Sequence, residues 1–139
     1  MLRDFKEAAV LDWETGLVWE QSPENSKSNP TFVQNWHNAQ ASCNFRTVGG
    51  RKGWRLPTIQ ELASLVDPTQ SSPALPRGHP FSNVHSSPYW SATTNTIDSS
   101  FAWDLDLDSG NVFNLGKTAV IHVWCVRGGQ GSILSDSVI

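Results

Sequence analysis

The chain has 139 residues, a length that suits one domain able to bury its own apolar core. Only 17% of its residues are charged and the formal net charge is -3, which disfavours binding to nucleic acid or anionic lipid. No apolar run approaches the roughly 20 residues of a transmembrane helix, and the N-terminal residues lack the apolar stretch of a secretory signal. We therefore expect a single domain over 1–139 without a transmembrane segment, with its core at about 8–129 and a tail or linker at 130–139.

The first predicted element is a β-hairpin between Ala8 and Glu20. Two apolar segments flank the turn at residues 12–16, and Gly16 can adopt the positive φ that the end of such a turn requires. Residues 21–30 contain two prolines and no apolar periodicity, so they predict an exposed loop.

A first helix is predicted from Thr31 to about Arg46. Thr31 and Gln34 have the spacing of a capping box, and apolar residues then recur at helical intervals. Gly49 and Gly50 indicate that the helix ends there, because glycine can close a helix in a left-handed conformation.

A second, shorter helix is predicted from a second capping box. Thr58 is its expected N-cap and Glu61 stands three residues later. The expected apolar stripe is formed by Ile59, Leu62, Ala63 and Val66. Pro68 disfavours the helical conformation at Asp67, so we expect the helix to end there.

Residues 67–88 predict a long irregular loop held by prolines and by two apolar anchors, Leu75 and Phe81. A loop of this length inside a compact domain is usually functional.

The remaining chain predicts an antiparallel meander. Its expected strands are Tyr89 to Thr93, Phe101 to Asp108, Asn111 to Leu115 and Val120 to Arg127. From Phe101 onward apolar and polar residues alternate, which predicts that Asp104, Asp106 and Asp108 form a solvated face. Strands, then helices, then strands are the order of an α+β fold.

Three segments carry a resemblance when they are taken in order: GWRLPT at 53–58, YWSATT at 89–94 and CVR at 125–127. The chain resembles the Lcl C-terminal domain family, a bacterial family named for an adhesin, over about residues 8–129. The resemblance implies a C-type lectin-like fold, with two helices packed on a small twisted antiparallel sheet and a long irregular loop. It also implies a ligand-binding module at the cell exterior, distantly similar to formylglycine-generating enzymes.

The same resemblance makes Cys43 and Cys125 neighbours, since it places the first helix beside the last strand. A disulfide between them is then expected, and the alternative is two buried free thiols in a cytosolic protein. The four residues Trp54, Trp90, Trp103 and Trp124 are expected in the core. Arg55 and Arg127 are expected to fix loops by pairing with carboxylates or carbonyls.

Catalysis and metal binding are not expected. Formylglycine-generating enzymes bind copper through a close pair of cysteines, and this chain has no such pair. The three aspartates do not complete an EF-hand loop, because the twelfth position is Leu115 rather than glutamate. The four histidines show no zinc spacing, and no Gly-x-Ser-x-Gly segment presents a nucleophile. We therefore predict a non-enzymatic protein without metal or cofactor.

The candidate binding surface is polar and lies beside the long loop and the meander, between Thr94 and Gly116. It is composed of Asn95, Thr96, Asp98, Ser99, Ser100, Asp108, Asn111 and Asn114. Such residues suit a protein or glycan ligand recognised by hydrogen bonds, and the alternative is an ordinary solvated face. Our leading hypothesis is an extracytoplasmic recognition module, secreted, periplasmic or at the cell surface. The alternatives are a catalytically altered relative of formylglycine-generating enzymes and a structural or assembly module of an envelope protein.

Overall fold

Two β-sheets and two short helices form the part of the chain that the computed structural model describes, residues 2–5 (backbone only), 9–23, 33–46 and 51–128. The strands are β1 Leu2–Phe5, β2 Ala9–Asp12, β3 Val18–Glu20, β4 Val33–Gln34, β5 Pro88–Thr94, β6 Phe101–Asp106, β7 Val112–Gly116, β8 Ile121–His122 and β9 Val126–Arg127. The helices are α1 Trp36–Asn44 and α2 Ile59–Ala63. The expected α+β class is confirmed.

The strands form two sheets rather than the single sheet that was expected. The first has the order β1-β2-β3-β9 and is antiparallel throughout. The second has the order β4-β8-β5-β6-β7, and its only parallel pairing within the described residues joins β5 to β8. The predicted hairpin is confirmed as β2 and β3 with Gly16 at a φ of 76°, and β1 extends it by one strand that was not predicted.

The prediction of one continuous strand from Val120 to Arg127 is wrong, because its two ends belong to different sheets. Val123, Trp124 and Cys125 connect β8 to β9, and all three are buried. Val123 and Cys125 contribute to one apolar cluster, while Trp124 contributes to the other. This segment therefore runs between two cores and has no solvent face.

The two cores divide the large aromatic rings between them. One contains Trp36, Trp54 and Trp90, together with the α1 residues Ala39 and Cys43. The other contains Trp19, Tyr89 and Trp124, together with Leu62 of α2 and the loop anchors Leu75 and Phe81. Trp54, Trp90 and Trp124 are buried as expected, whereas Trp103 is only partly buried.

Helix α1 begins later than the sequence predicts. Asn35 is its N-cap and accepts a hydrogen bond from the Asn38 backbone N–H at 2.9 Å. Gln34 cannot take part in the expected capping box because it pairs with Ile121 as a residue of β4. Thr31 and the predicted helix stop at residues 47–50 lie outside the described residues.

Helix α2 confirms the second capping box. The Thr58 hydroxyl accepts from the Glu61 N–H at 3.1 Å, and the Glu61 carboxylate accepts from the Thr58 N–H at 2.8 Å. The helix ends at Ala63, before the predicted position, and Ala63 is exposed although it was expected in the apolar stripe.

The long loop is confirmed, since residues 67–87 contain no helix or strand and both anchors are buried. Backbone hydrogen bonds attach it to Leu107, the residue after β6: the Ala74 N–H donates to Leu107 O at 2.7 Å, and the Leu107 N–H donates to Ser87 O at 3.1 Å. The loop is therefore a fixed part of the domain.

Candidate functional site

The eight residues of the predicted binding surface lie at two ends of the second sheet. Residues 95–100 connect β5 to β6, and Asn114 of β7 lies beside them, with its Oδ1 3.4 Å from the Asn95 Nδ2. Asp108 and Asn111 lie in the turn at the opposite end of β6. A six-residue strand spans roughly 20 Å, so the structure divides the predicted surface into two patches.

Residues 95–100, which we call the Asn95 loop, are held in shape by their own polar groups. Asn95 Oδ1 accepts from the Ile97 N–H at 2.8 Å. Asp98 Oδ1 accepts from Ser100 twice, from the N–H at 3.0 Å and from the hydroxyl at 2.6 Å. These bonds from Ser100 lower the pKa of Asp98 below its usual value. The polar side chains of the loop therefore hold its backbone in one conformation.

The backbone closes the same loop at its base. The Asn95 N–H donates to Phe101 O at 3.0 Å, and the Phe101 N–H donates to Asp98 O at 3.0 Å. The Lys117 N–H donates to Ser100 O at 2.8 Å, which ties the loop to the end of β7. Rigid strands thus fix both ends of the loop.

Ile97 is the residue of this loop that the sequence analysis missed. Its side chain is 95% exposed, although isoleucine is one of the residues most often buried. The sequence signal was a lone aliphatic residue within a run of Asn, Thr, Asp and Ser. An apolar side chain held outward by a fixed polar loop has the arrangement of an interface anchor surrounded by a polar rim.

The second patch is tied to the long loop. Asp108 Oδ1 accepts from the Ser72 hydroxyl at 2.6 Å, and Asp108 O accepts from the Ser72 N–H at 2.9 Å. Asn111 O accepts from the Asp106 N–H at 2.9 Å within the turn. Asp108 therefore has a structural role here, and the Asn95 loop with Asn114 is the better candidate site.

The predicted solvated acidic face is wrong at Asp104, whose relative exposure is 1%. Asp104 pairs with Trp90 of β5 on one side and with Phe113 of β7 on the other, so it belongs to an inner strand of the sheet. Its Oδ1 is buried without a hydrogen-bond partner in the described part of the chain. Burial, with a smaller contribution from the charge of Asp106, raises the pKa of Asp104 to about 6.

Glu20 is a second buried carboxyl, and it joins three segments of the fold. Its Oε2 forms an ion pair with Arg46 at 2.6 Å, just beyond α1, and its Oε1 accepts from the Cys125 N–H at 2.8 Å. Its backbone O accepts from the Trp124 indole N–H at 2.8 Å. Burial raises the pKa of Glu20 to about 7, against the opposing effects of Arg46 and the Cys125 N–H. Its polar atoms point into the fold, so its role is structural.

The two cysteines form the expected disulfide, which joins α1 to the segment between β8 and β9. Arg55 and Arg127 hold loops, as predicted. Arg55 forms a two-point ion pair with Glu61 at 2.8 and 2.9 Å and also donates to Gly128 O at 2.7 Å. Arg127 Nε donates to Lys52 O at 2.9 Å.

A shallow cleft of about 450 Å³ lies on the side of the hairpin turn. Its lining includes the polar residues Asp12, Glu14, Arg77 and His79, and Leu65 and Phe81 contribute apolar surface. Among the described residues, no three His, Cys, Asp or Glu side chains come together in a group that could hold a metal ion. Neither described helix has the length and apolar character needed to span a membrane.

These features define a small α+β domain in which a disulfide joins the first helix to the segment between β8 and β9, and in which a fixed polar loop is displayed at one end of a sheet. The chain belongs to the Lcl C-terminal domain family, whose model matches residues 8–127. A search of curated proteins finds no match.

Proposed function

We propose that this domain is a non-enzymatic recognition module that binds a protein or glycan ligand through the Asn95 loop and the adjoining Asn114. The observation that carries the proposal is Ile97, an almost fully exposed aliphatic side chain on a loop fixed by its own hydrogen bonds. The site predicted from sequence is thereby narrowed to one of its two patches.

The energetics of this loop favour recognition. An exposed isoleucine gains free energy when a partner covers it, because about 25 cal/mol is recovered for each Å² of apolar surface removed from water. Ordering a flexible loop would offset part of that gain, but Asn95 and Asp98 already hold this loop in one conformation. The surrounding Thr96, Ser99 and Asn114 can supply the polar rim of the contact.

The state of the cysteines supports a non-enzymatic role and an extracytoplasmic location. Both cysteines of the chain are in the disulfide, so neither supplies a thiol as nucleophile or copper ligand. Disulfides persist in oxidising compartments, such as the periplasm or the cell surface, and are rare in the cytosol. A recognition domain that acts outside the cytoplasm fits both observations.

Arrays of glycans and of purified extracellular proteins provide the test. The wild-type domain should bind a defined member of one array, and Ile97→Ser should weaken that binding by about tenfold or more, the effect typical of an interface anchor. Asn95→Ala should weaken it as well, because the loop loses the bond that positions Ile97.

Trp13→Ser is the matched control, since Trp13 is an exposed apolar residue in the turn between β2 and β3 of the other sheet. It should leave the binding unchanged. The proposal is overturned if the wild-type domain binds nothing on either array, or if Ile97→Ser and Trp13→Ser have the same effect.

A further inference from the structure

Strand β7 is an outer strand of the five-stranded sheet, and only β6 pairs with it among the described strands. The Asp106 N–H donates to Asn111 O at 2.9 Å, and the Lys117 N–H donates to Ser100 O at 2.8 Å. These contacts mark hydrogen-bonded pairs at both ends of the β6–β7 ladder. Since such pairs alternate along an antiparallel ladder, Phe113 and Leu115 also bond toward β6.

The alternate residues of β7 direct their backbone N–H and C=O groups away from β6. These residues are Val112, Asn114 and Gly116. Gly116 O accepts from the Ala119 N–H at 2.9 Å. The N–H and C=O groups of Val112 and Asn114 and the N–H of Gly116 have no partner within the described chain. An extended chain could therefore hydrogen-bond along this edge.

The other described sheet edges are blunted, and β7 is not. Strands β4 and β9 have two residues each, and β9 is also bridged by Arg55. Strand β1 carries Arg3 and Asp4 within its four residues. By contrast, β7 has five residues with no charge and no proline, and its register with β6 is continuous. Edges are normally protected by charge, proline, bulges or shortness, so an unprotected one indicates a pairing surface.

We propose that β7 pairs antiparallel with β7 of a second copy of this chain, about a two-fold axis at Asn114. This register places Asn114 opposite Asn114 and Val112 opposite Gly116, so that the outward groups without a partner meet in about four backbone hydrogen bonds, two between the Asn114 residues and two from the Gly116 N–H groups to Val112 O. The same strand serves as donor and acceptor in both copies, which makes the edge self-complementary.

The side chains fit this register. Phe113 of one copy stands opposite Leu115 of the other, in a non-hydrogen-bonded pair where side chains approach closely. Phe113 is 50% exposed and Val112 is 44% exposed, so pairing removes apolar surface of both from water. No like charges lie opposite each other between residues 112 and 116. The dimer would also display two Asn95 loops at once.

Sedimentation velocity from micromolar to near-millimolar protein concentration tests the pairing. Asn114→Pro removes the central outward N–H and places a ring in the path of the partner, but breaks no bond between β6 and β7. Phe113→Lys puts a charge on the edge. We expect wild-type protein to dimerise with concentration and each variant to weaken the dimer by about tenfold or more.

Trp13→Lys replaces a ring of similar exposure, 57% against 50% for Phe113, in the turn between β2 and β3, and should dimerise like the wild type. Far-ultraviolet circular dichroism and thermal melting establish that each variant is folded. If Asn114→Pro does not fold, the dimerisation of Phe113→Lys alone tests the pairing of β7. A wild-type protein that stays monomeric throughout overturns the proposal. So does a dimer that folded Asn114→Pro and Phe113→Lys leave intact.

Discussion

At the scale of single residues, Asp104 is the most informative departure from the sequence pattern. The alternation of β6 is that of a strand with one wet face, but Asp104 lies between Trp90 and Phe113 and is removed from water. A carboxylate in that position costs free energy, because its charge is desolvated and its Oδ1 has no partner in the described chain. Folding therefore shifts the equilibrium of Asp104 toward its protonated form.

The raised pKa of Asp104 predicts a pH-dependent stability. Its pKa is about 6 when folded and 3.8 in the reference state, so the folded protein binds more protons between these values. The contribution of Asp104 to stability is thus largest below about pH 4 and is lost as the pH rises to about 6. Asp104→Asn should flatten this dependence and raise the free energy of unfolding at pH 7 by about 1 to 2 kcal/mol, measured by urea unfolding.

Glu14→Gln removes an exposed carboxylate and is the control for this measurement. In the wild-type protein, the carboxyl carbon of Asp104 should titrate by NMR with a midpoint near pH 6. A midpoint near 4, or an Asp104→Asn variant with an unchanged pH profile, would show that water reaches this carboxyl.

At the scale of elements, features that depend on neighbouring residues could be predicted from the sequence, whereas features that depend on tertiary contacts could not. The Thr58 and Glu61 capping box and the turn at Gly16 depend on neighbouring residues alone, and both were predicted. The start of α1 was not predicted, because Gln34 belongs to β4 and pairs with Ile121, which is distant in sequence. Ile97 was missed for a related reason, since composition does not reveal that the loop holds it outward.

The turn between β6 and β7 depends on a close contact at Gly110. Its φ is 82°, and a Cβ there would lie 2.9 Å from Val66 Cγ1 and 3.2 Å from Ala74 Cβ. Gly110→Ala should therefore lower the free energy of unfolding through two separate costs. The left-handed backbone contributes about 1 kcal/mol, and the steric clash contributes about 1 to 3 kcal/mol. Urea unfolding measures the sum.

Gly78 separates these two contributions. It has a φ of 74°, but a Cβ there would meet no atom within 4 Å. Gly78→Ala should show the backbone cost alone, about 1 kcal/mol. Equal losses for the two variants would mean that Val66 and Ala74 do not contact the turn as closely as the structure indicates.

At the scale of the whole molecule, two cores are held together by the segment that leads from β8 into β9. The segment from Val123 to Val126 contributes alternate residues to each core. Glu20 holds this segment by accepting a hydrogen bond from the Cys125 N–H while it forms an ion pair with Arg46. The Cys43–Cys125 disulfide ties the same segment to α1. The recognition that we propose for the Asn95 loop requires this arrangement, because β5 and β6, which carry the loop, belong to the sheet that this segment connects to the first sheet.

The disulfide should therefore be a large part of the stability of the domain. It closes a loop between positions separated by 82 residues, and the chain-entropy model gives about 4 to 5 kcal/mol for a loop of that size. Urea unfolding with and without dithiothreitol should show a loss of about that magnitude in the wild-type protein. The double variant Cys43→Ala, Cys125→Ala is the control, and its free energy of unfolding should not respond to the reductant. A wild-type loss below about 1 kcal/mol would mean that the packing around Cys125 holds the two cores together without the covalent bond.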